Sequence, residues 1–298
     1  MVRHWLGVGK SFLDIPRILA QLGFRGARIV GLSENGNTLL RLNRSYPMGF
    51  RGDVIEVPRD KVIFEAIRRR GHWSLDVSEF LREGLDEDRS ALFDIGANIG
   101  VVALQTMRTS IRPHHYILFE PLPRNFSALQ RNIQHANLGL DSTIEFHQVA
   151  LSDRAGNAEF YTEAINYGNS SLFGSAMTFP QDAIRHRVRT VNTADFFGGL
   201  GSKFTRVVIK CDAQGADALI LSRIPLPIWK KCGRAAVELW ALSELKKPDI
   251  DECMSHFGGF DLLSWDPQFK SVANIEKVRE FWSSGSGEIR DLYMIKTT

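Results

Sequence analysis

From residue 90 onward the chain alternates two kinds of pattern. Short apolar runs fall at 91–95, 116–120, 206–211, 234–239, 260–265 and 291–296, and an alternating one at 143–149. Stretches with apolar positions three and four apart fall between several of them, at 100–108, 124–136, 217–223 and 243–256. Continuous apolar runs of this length are strands buried on both faces, and 3.6-period stretches between them are crossover helices. The pattern therefore predicts a doubly wound α/β fold with a mostly parallel, seven-stranded sheet.

The front of the chain reads differently. Residues 28–57 alternate apolar and polar positions around Glu34-Asn35-Gly36-Asn37, Gly49 and Gly52, which predicts short strands or a hairpin. Helical periodicity follows at 60–69 and 75–83, joined by Gly71-His72-Trp73. These features divide the chain into an N-terminal α+β extension over 1–89, acting as a lid or brace, and a main domain over 90–298. Phe12, Ile15, Ile18, Leu19 and Leu22 form one face of a short amphipathic helix, expected to dock on its own domain. Residues 164–187, with Asn166-Tyr167-Gly168-Asn169-Ser170-Ser171, read as a loop that is either part of a binding wall or solvated. Arg185, His186, Arg187 and Arg189 read as a solvated basic run, and 196–201 as a connector.

Composition narrows the function classes. A 298-residue chain with 44% hydrophobic residues can bury a sizeable core, and a net charge of +3 argues for neither nucleic acid nor a membrane surface as partner. The three cysteines, Cys211, Cys232 and Cys253, have no C-x-x-C pairing, which fits a reducing, cytoplasmic setting with no disulfide framework and no metal site. No apolar run reaches membrane-spanning length. Charges at Arg3, Lys10, Asp14 and Arg17 argue against a signal peptide.

The candidate chemistry lies at the ends of the apolar runs. Phe93-Asp94-Ile95-Gly96-Ala97-Asn98-Ile99-Gly100 is a strand ending in a small-residue turn, and Ile117-Leu118-Phe119-Glu120-Pro121 is the next strand, ending in a carboxylate. Gly96 and Gly100 allow a ligand near the N-terminus of the following helix, and Glu120 is placed to accept from two ribose hydroxyls. A dinucleotide turn needs G-x-G-x-x-G, but Asn98 and Val101 occupy the second and third glycine positions here. The G-x-x-x-G spacing suits S-adenosylmethionine better, with Asp94 to meet its ammonium. A second constellation, Val208-Ile209-Lys210-Cys211-Asp212-Ala213-Gln214-Gly215-Ala216-Asp217, ends another strand in the same crevice.

The order of these motifs resembles the FkbM family of S-adenosylmethionine-dependent methyltransferases. The resemblance rests on Asp94-Ile95-Gly96-Ala97-Asn98-Ile99-Gly100, Phe119-Glu120-Pro121 with Asn125 and Leu129, Val149-Ala150-Leu151-Ser152-Asp153 with Gly156, and Ile209 to Asp217, and it covers about 54–239. It implies a Rossmann-like methyltransferase sheet. It also implies that Asp94, Gly96, Asn98 and Gly100 cradle the methionine part of the cofactor, that Glu120 holds the ribose, and that Ala150 and Leu151 border the adenine. Two family acids differ: Gln214 stands for a glutamate, and Asp217 is one methylene shorter. The exchange implies altered acceptor choice or lowered activity, or else Gln214 caps the next helix.

Methyl transfer to a hydroxyl needs alignment, exclusion of water and a base. Asp212 is the first candidate base and Glu238, ending the adjacent strand, the second. Lys210 would orient Asp212 or the acceptor, or form an interstrand ion pair. The expected function is O-methylation of a small-molecule or glycan acceptor: a glycan, lipid-linked sugar or secondary metabolite. A cofactor-binding partner protein without catalysis is the alternative, and an NAD-dependent oxidoreductase a more remote one, lacking its third glycine and a proton-relay residue.

Overall fold

A computed structural model of the chain describes residues 26–34, 36–42, 54–58, 62–85, 89–110, 114–136, 142–163, 170–177, 181, 183–200 and 202–297. The expected amphipathic helix at Phe12–Leu22 and the turns at Gly49 and Gly52 lie outside them. The chain divides into two compact units, Met1–Trp73 and Ser74–Thr298.

In the first unit, β1 (Ala27–Leu32), β2 (Thr38–Leu42) and β3 (Val54–Val57) form an antiparallel sheet in that order, followed by α1 (Ile63–Arg70). Alternation drives the pairing: Thr38, Leu40 and Leu42 are buried while Arg41 points to solvent. Buried Glu56 accepts hydrogen bonds from Asn37 Nδ2 at 2.7 Å and Ser33 Oγ at 2.9 Å, which pins the loop between β1 and β2.

The second unit begins with α2 (Leu75–Arg82), so the boundary falls earlier than the expected 89/90. The reason is contact: Gln105 Nε2 of α3 (Val101–Thr109) donates to Ser78 Oγ at 2.7 Å, and the Arg234 guanidinium lies 4.9 Å from the Phe80 ring centre. The main sheet comprises β4 (Ser90–Ile95), β5 (His115–Phe119), β6 (Thr143–His147), β11 (Arg206–Cys211), β12 (Cys232–Trp240), β13 (Leu262–Ser264), β14 (Val272–Ala273) and β15 (Ile289–Ile295). Their spatial order is β14-β13-β15-β12-β11-β4-β5-β6. The strands from β12 through β6 run parallel, and β15 is antiparallel to β12. β14 extends this sheet to eight strands, beyond the seven expected; its two residues are too few to register as an apolar run.

The expected loop at 164–187 holds a strand at Ser170–Ser171 and, from Ile184, the start of a longer strand. β7 (Ala150–Ser152), β8 (Gly156–Thr162), β9 (Ser170–Ser171) and β10 (Ile184–Asn192) form a second sheet in the order β7-β10-β8-β9. The basic run is the outward face of β10: Arg185, Arg187 and Arg189 are exposed, while between them His186 is half-buried and Val188 buried, and Thr190 after them is buried. Charge on alternate positions is a strand signature as well as a surface one.

Remaining helices are α4 (Pro123–Gln134), α5 (Thr193–Gly198), α6 (Asp217–Leu221), α7 (Leu226–Lys231), α8 (Lys247–Phe257) and α9 (Ile275–Trp282). One core fills the space on one side of the parallel strands. Ala91, Phe93 and Ile95 of β4 join Val207, Ile209 and Cys211 of β11, all at most 2% exposed. Phe197 closes on Phe93 edge to face, 4.9 Å between ring centres. Among the described residues no helix is long and apolar enough to cross a membrane.

Candidate functional site

The parallel sheet grows outward in both directions from the β4/β11 pair: β5 and β6 extend one side, β12 the other. At such a switch point the loops after neighbouring strands part and leave a crevice at their carboxyl ends. Here the loops after β4 and β11 carry Gly96 and Asp212, and a cleft of about 570 Å³, partly open to solvent, lies over them.

The turn after β4 is stitched to both neighbours. Gly96 N and Ala97 N both donate to Phe119 O, at 3.1 and 2.9 Å, and Asp212 N donates to Ile95 O at 3.0 Å. Gly96 has φ +76°, and a Cβ there would sit 2.0 Å from Asp212 O, so only glycine fits between the two strand ends. Asn98, at φ +52°, directs its backbone N–H to Glu120 Oε2 at 3.0 Å, and Leu122 N donates to Glu120 Oε1 at 2.9 Å. Glu120 is thus held from both oxygens at the tip of β5. It is 5% exposed, and burial pushes its carboxyl up to about 7 despite these two donors.

Gly96, Asn98, Glu120, Ala150, Leu151 and Asp212 all line the cleft. Asp94 and Gly100 do not. Asp94 is 0% exposed, and its Oδ1 lies 3.0 Å from Lys210 Nζ, so its charge already has a buried cation and is closed to an external ammonium. Gly100 has φ +79° at the start of α3, where a Cβ would come within 2.4 Å of Leu129 Cδ1; helix packing, not ligand approach, demands it.

Lys210 also lies beneath the cleft rather than in it. Its Nζ donates to Gly96 O at 2.8 Å and stands 3.8 Å from Asp212 Oδ2. Burial pulls against its charge, but Asp94 and Asp212 together outweigh that and hold the ammonium well above its ordinary range. The interstrand ion pair is therefore what the structure contains, with Asp212 as its exposed end.

Gln214 is the centre of the second constellation. At φ +50° it turns its amide so that Nε2 donates to Asp212 Oδ1 at 2.5 Å and to Glu238 Oε2 at 2.7 Å. Trp240 Nε1 also donates to Glu238 Oε2, at 2.5 Å. Burial pushes the Glu238 carboxyl well up, and the Asp212 charge adds to it. Gln214 and Asp212 reach the cleft; Glu238 sits behind them. Gln214 does not cap the next helix. Asp217 binds the turn instead, accepting from Ala213 N and Gly215 N, each at 3.0 Å, with its carboxyl raised by burial to about 6.

The second sheet supplies a wall the sequence reading located only in part. Phe160, Ser170 and Leu172 line the cleft, and neighbouring Ser171 Oγ donates to Gln214 O at 2.6 Å. Residues 164–169 of the expected binding loop lie outside the described residues. His186 is turned to Thr162 Oγ1, 2.9 Å away, and the arginines beside it do not line the cleft. Asn125, Val149 and Ile220 also line the cleft. The described residues contain no group of three or more His, Cys, Asp or Glu placed to hold a metal ion.

Residues 94–240 match the methyltransferase FkbM domain. A relative described as Methyltransferase 1, from Beauveria bassiana (strain ARSEF 2860), is 28% identical over a 169-residue alignment, and the match covers 51% of this chain and 65% of the relative. The chain thus spans just under two thirds of that relative's length. Among solved structures, fibrillarin from Aeropyrum pernix with natively bound S-adenosyl-L-methionine is 12% identical, over 90% of this chain and 99% of that one, with a TM-score of 0.36. An O-methyltransferase from Bacillus cereus in complex with SAH is 11% identical, over 74% of this chain and 80% of that one, with a TM-score of 0.36.

Proposed function

We propose that this chain, which carries a methyltransferase FkbM domain over residues 94–240, is an S-adenosylmethionine-dependent methyltransferase that uses the β4/β11 cleft to methylate a hydroxyl of a small-molecule or glycan acceptor. One observation carries the reading: Glu120, anchored by two backbone donors at the tip of β5, lines the same cleft as the side-chain-free turn at Gly96. A carboxylate fixed in this way keeps lone pairs on both oxygens for a ribose diol. The walls fit the rest of an adenosyl group. Phe119, Val149, Leu151 and Ile220 are apolar and face the cleft, as a flat purine requires.

Bound S-adenosylmethionine supplies an activated methyl group. The chain's own residues do the rest. Glu120 orients the sugar, and the bare turn at Gly96 admits the methionine portion. Asp212, whose side chain is 36% exposed beside Lys210, takes the proton of the acceptor hydroxyl. Gln214 fixes the Asp212 carboxylate through Oδ1, leaving Oδ2 for the acceptor. Wild-type protein titrated calorimetrically with S-adenosylmethionine, S-adenosylhomocysteine and NAD should bind the first two and not the third. A screen of hydroxylated acceptors with labelled methyl donor then identifies the acceptor. Binding of NAD alone refutes the assignment.

A further inference from the structure

Asn125 is a polar side chain that the cleft leaves unused. It lies in the first turn of α4, lines the cleft and is 1% exposed, and its Oδ1 is buried without a hydrogen-bond partner. An amide oxygen taken out of water and left unpaired carries a desolvation cost that a donor on a bound ligand would remove. Its position fits one donor. Leu122, three residues earlier and so on the same side of the helix start, packs against Ala150, Phe160 and Val188. Glu120 is two residues before that. Sugar anchor, base wall and orphan amide therefore lie in sequence around one end of the cleft.

We propose that Asn125 reads the base of the bound nucleoside, its Oδ1 accepting from the exocyclic amine of adenine while the amide nitrogen serves the adjacent ring nitrogen. A carboxamide presents the acceptor and donor side by side that this purine edge requires. Deleting the exocyclic amine leaves Oδ1 unpaired whichever edge of the base is presented. The site thus selects a 6-aminopurine through a side chain, not through shape alone.

The inference rests on the cleft being the S-adenosylmethionine site. The test compares calorimetric affinities for S-adenosylhomocysteine and its 6-deamino analogue, in which hydrogen replaces the exocyclic amine. Wild-type protein should bind the analogue about 5- to 150-fold more weakly. Asn125→Leu, close in volume and unable to pair, should bring the ratio within about twofold of unity; Asn125→Ser serves the same purpose if the leucine variant does not fold. Equal wild-type affinity for both ligands, or a folded variant that keeps the full ratio, overturns the inference. Failure of wild-type protein to bind S-adenosylhomocysteine at all overturns the cofactor reading with it, so the two failures are distinguishable.

Discussion

Replacing Gln214 by glutamate tests the electrostatics of the acidic strand tips most directly. In the native chain one amide nitrogen donates to Asp212 at 2.5 Å and to Glu238 at 2.7 Å. Glutamate keeps the shape and reverses the role, since an ionised carboxylate only accepts. Two hydrogen bonds are lost, of which the one to the Asp212 carboxylate is worth about 1.5–3 kcal/mol. Two like-charge contacts replace them, with carboxylate centres about 4 Å apart, or about 4 kcal/mol per fully ionised pair at an effective dielectric of 20. Asp212 is 36% exposed, so solvent screening reduces its share, and uptake of one proton by the cluster relieves much of the remainder. The net expectation is a stability loss of about 2–4 kcal/mol at pH 8, largely recovered at pH 5. The sign follows from Glu238: burial raises its carboxyl on folding, so its stability contribution is complete below the unfolded value and is lost as pH rises through the folded one. Urea denaturation followed by circular dichroism from pH 5 to 8.5 measures this. Gln214→Ala, which removes the bonds without adding charge, should show a smaller deficit with a weaker pH dependence. A glutamate variant as stable as the native chain at pH 8, or one whose deficit does not change with pH, refutes the reasoning.

Three further outcomes are expected. Glu120, with its carboxyl at about 7 in the free protein, gains donors from a ribose diol and should release about half a proton when S-adenosylhomocysteine binds at pH 7; calorimetry in buffers of different ionisation enthalpy reads the release, and Glu120→Gln should abolish it. Asp212→Asn should lower kcat at least a hundredfold with S-adenosylhomocysteine affinity changed less than threefold; weakened affinity with unchanged turnover would assign Asp212 to the cofactor's ammonium instead. Lys210→Met should cost about 3–5 kcal/mol in chemical denaturation by stranding the Asp94 charge, and adding Asp94→Asn should restore most of it; a loss below about 1 kcal/mol would show that Asp94 is already neutral.

The elements that were legible in the sequence are those in which burial and periodicity agree. β4, β5 and β11 are buried along most of their length, and such strands appear as plain apolar runs. The second sheet is not legible because β8 and β10 are half-exposed, and the charges on alternate positions of β10 resemble a solvated basic run. Glu120 and Gly96 could be placed from sequence because strand tips at a switch point are fixed by topology. Asp94 could not. Its neighbour in the next strand over, Lys210, is set by register, and no spacing along the chain shows that the two side chains meet. For Gln214 the sequence leaves a changed acceptor preference and a helix cap both open, since its bridge depends on Glu238 from a third strand.

The pairing of Lys210 with Asp94 also bears on how this protein can diverge. Either residue changed alone leaves an uncompensated charge at the centre of the sheet, so drift at positions 94 and 210 must pass through a joint exchange or not occur. Homologues that have lost the lysine should therefore carry an uncharged residue opposite it, and the two positions should covary as one character even though 115 intervening residues separate them in the chain.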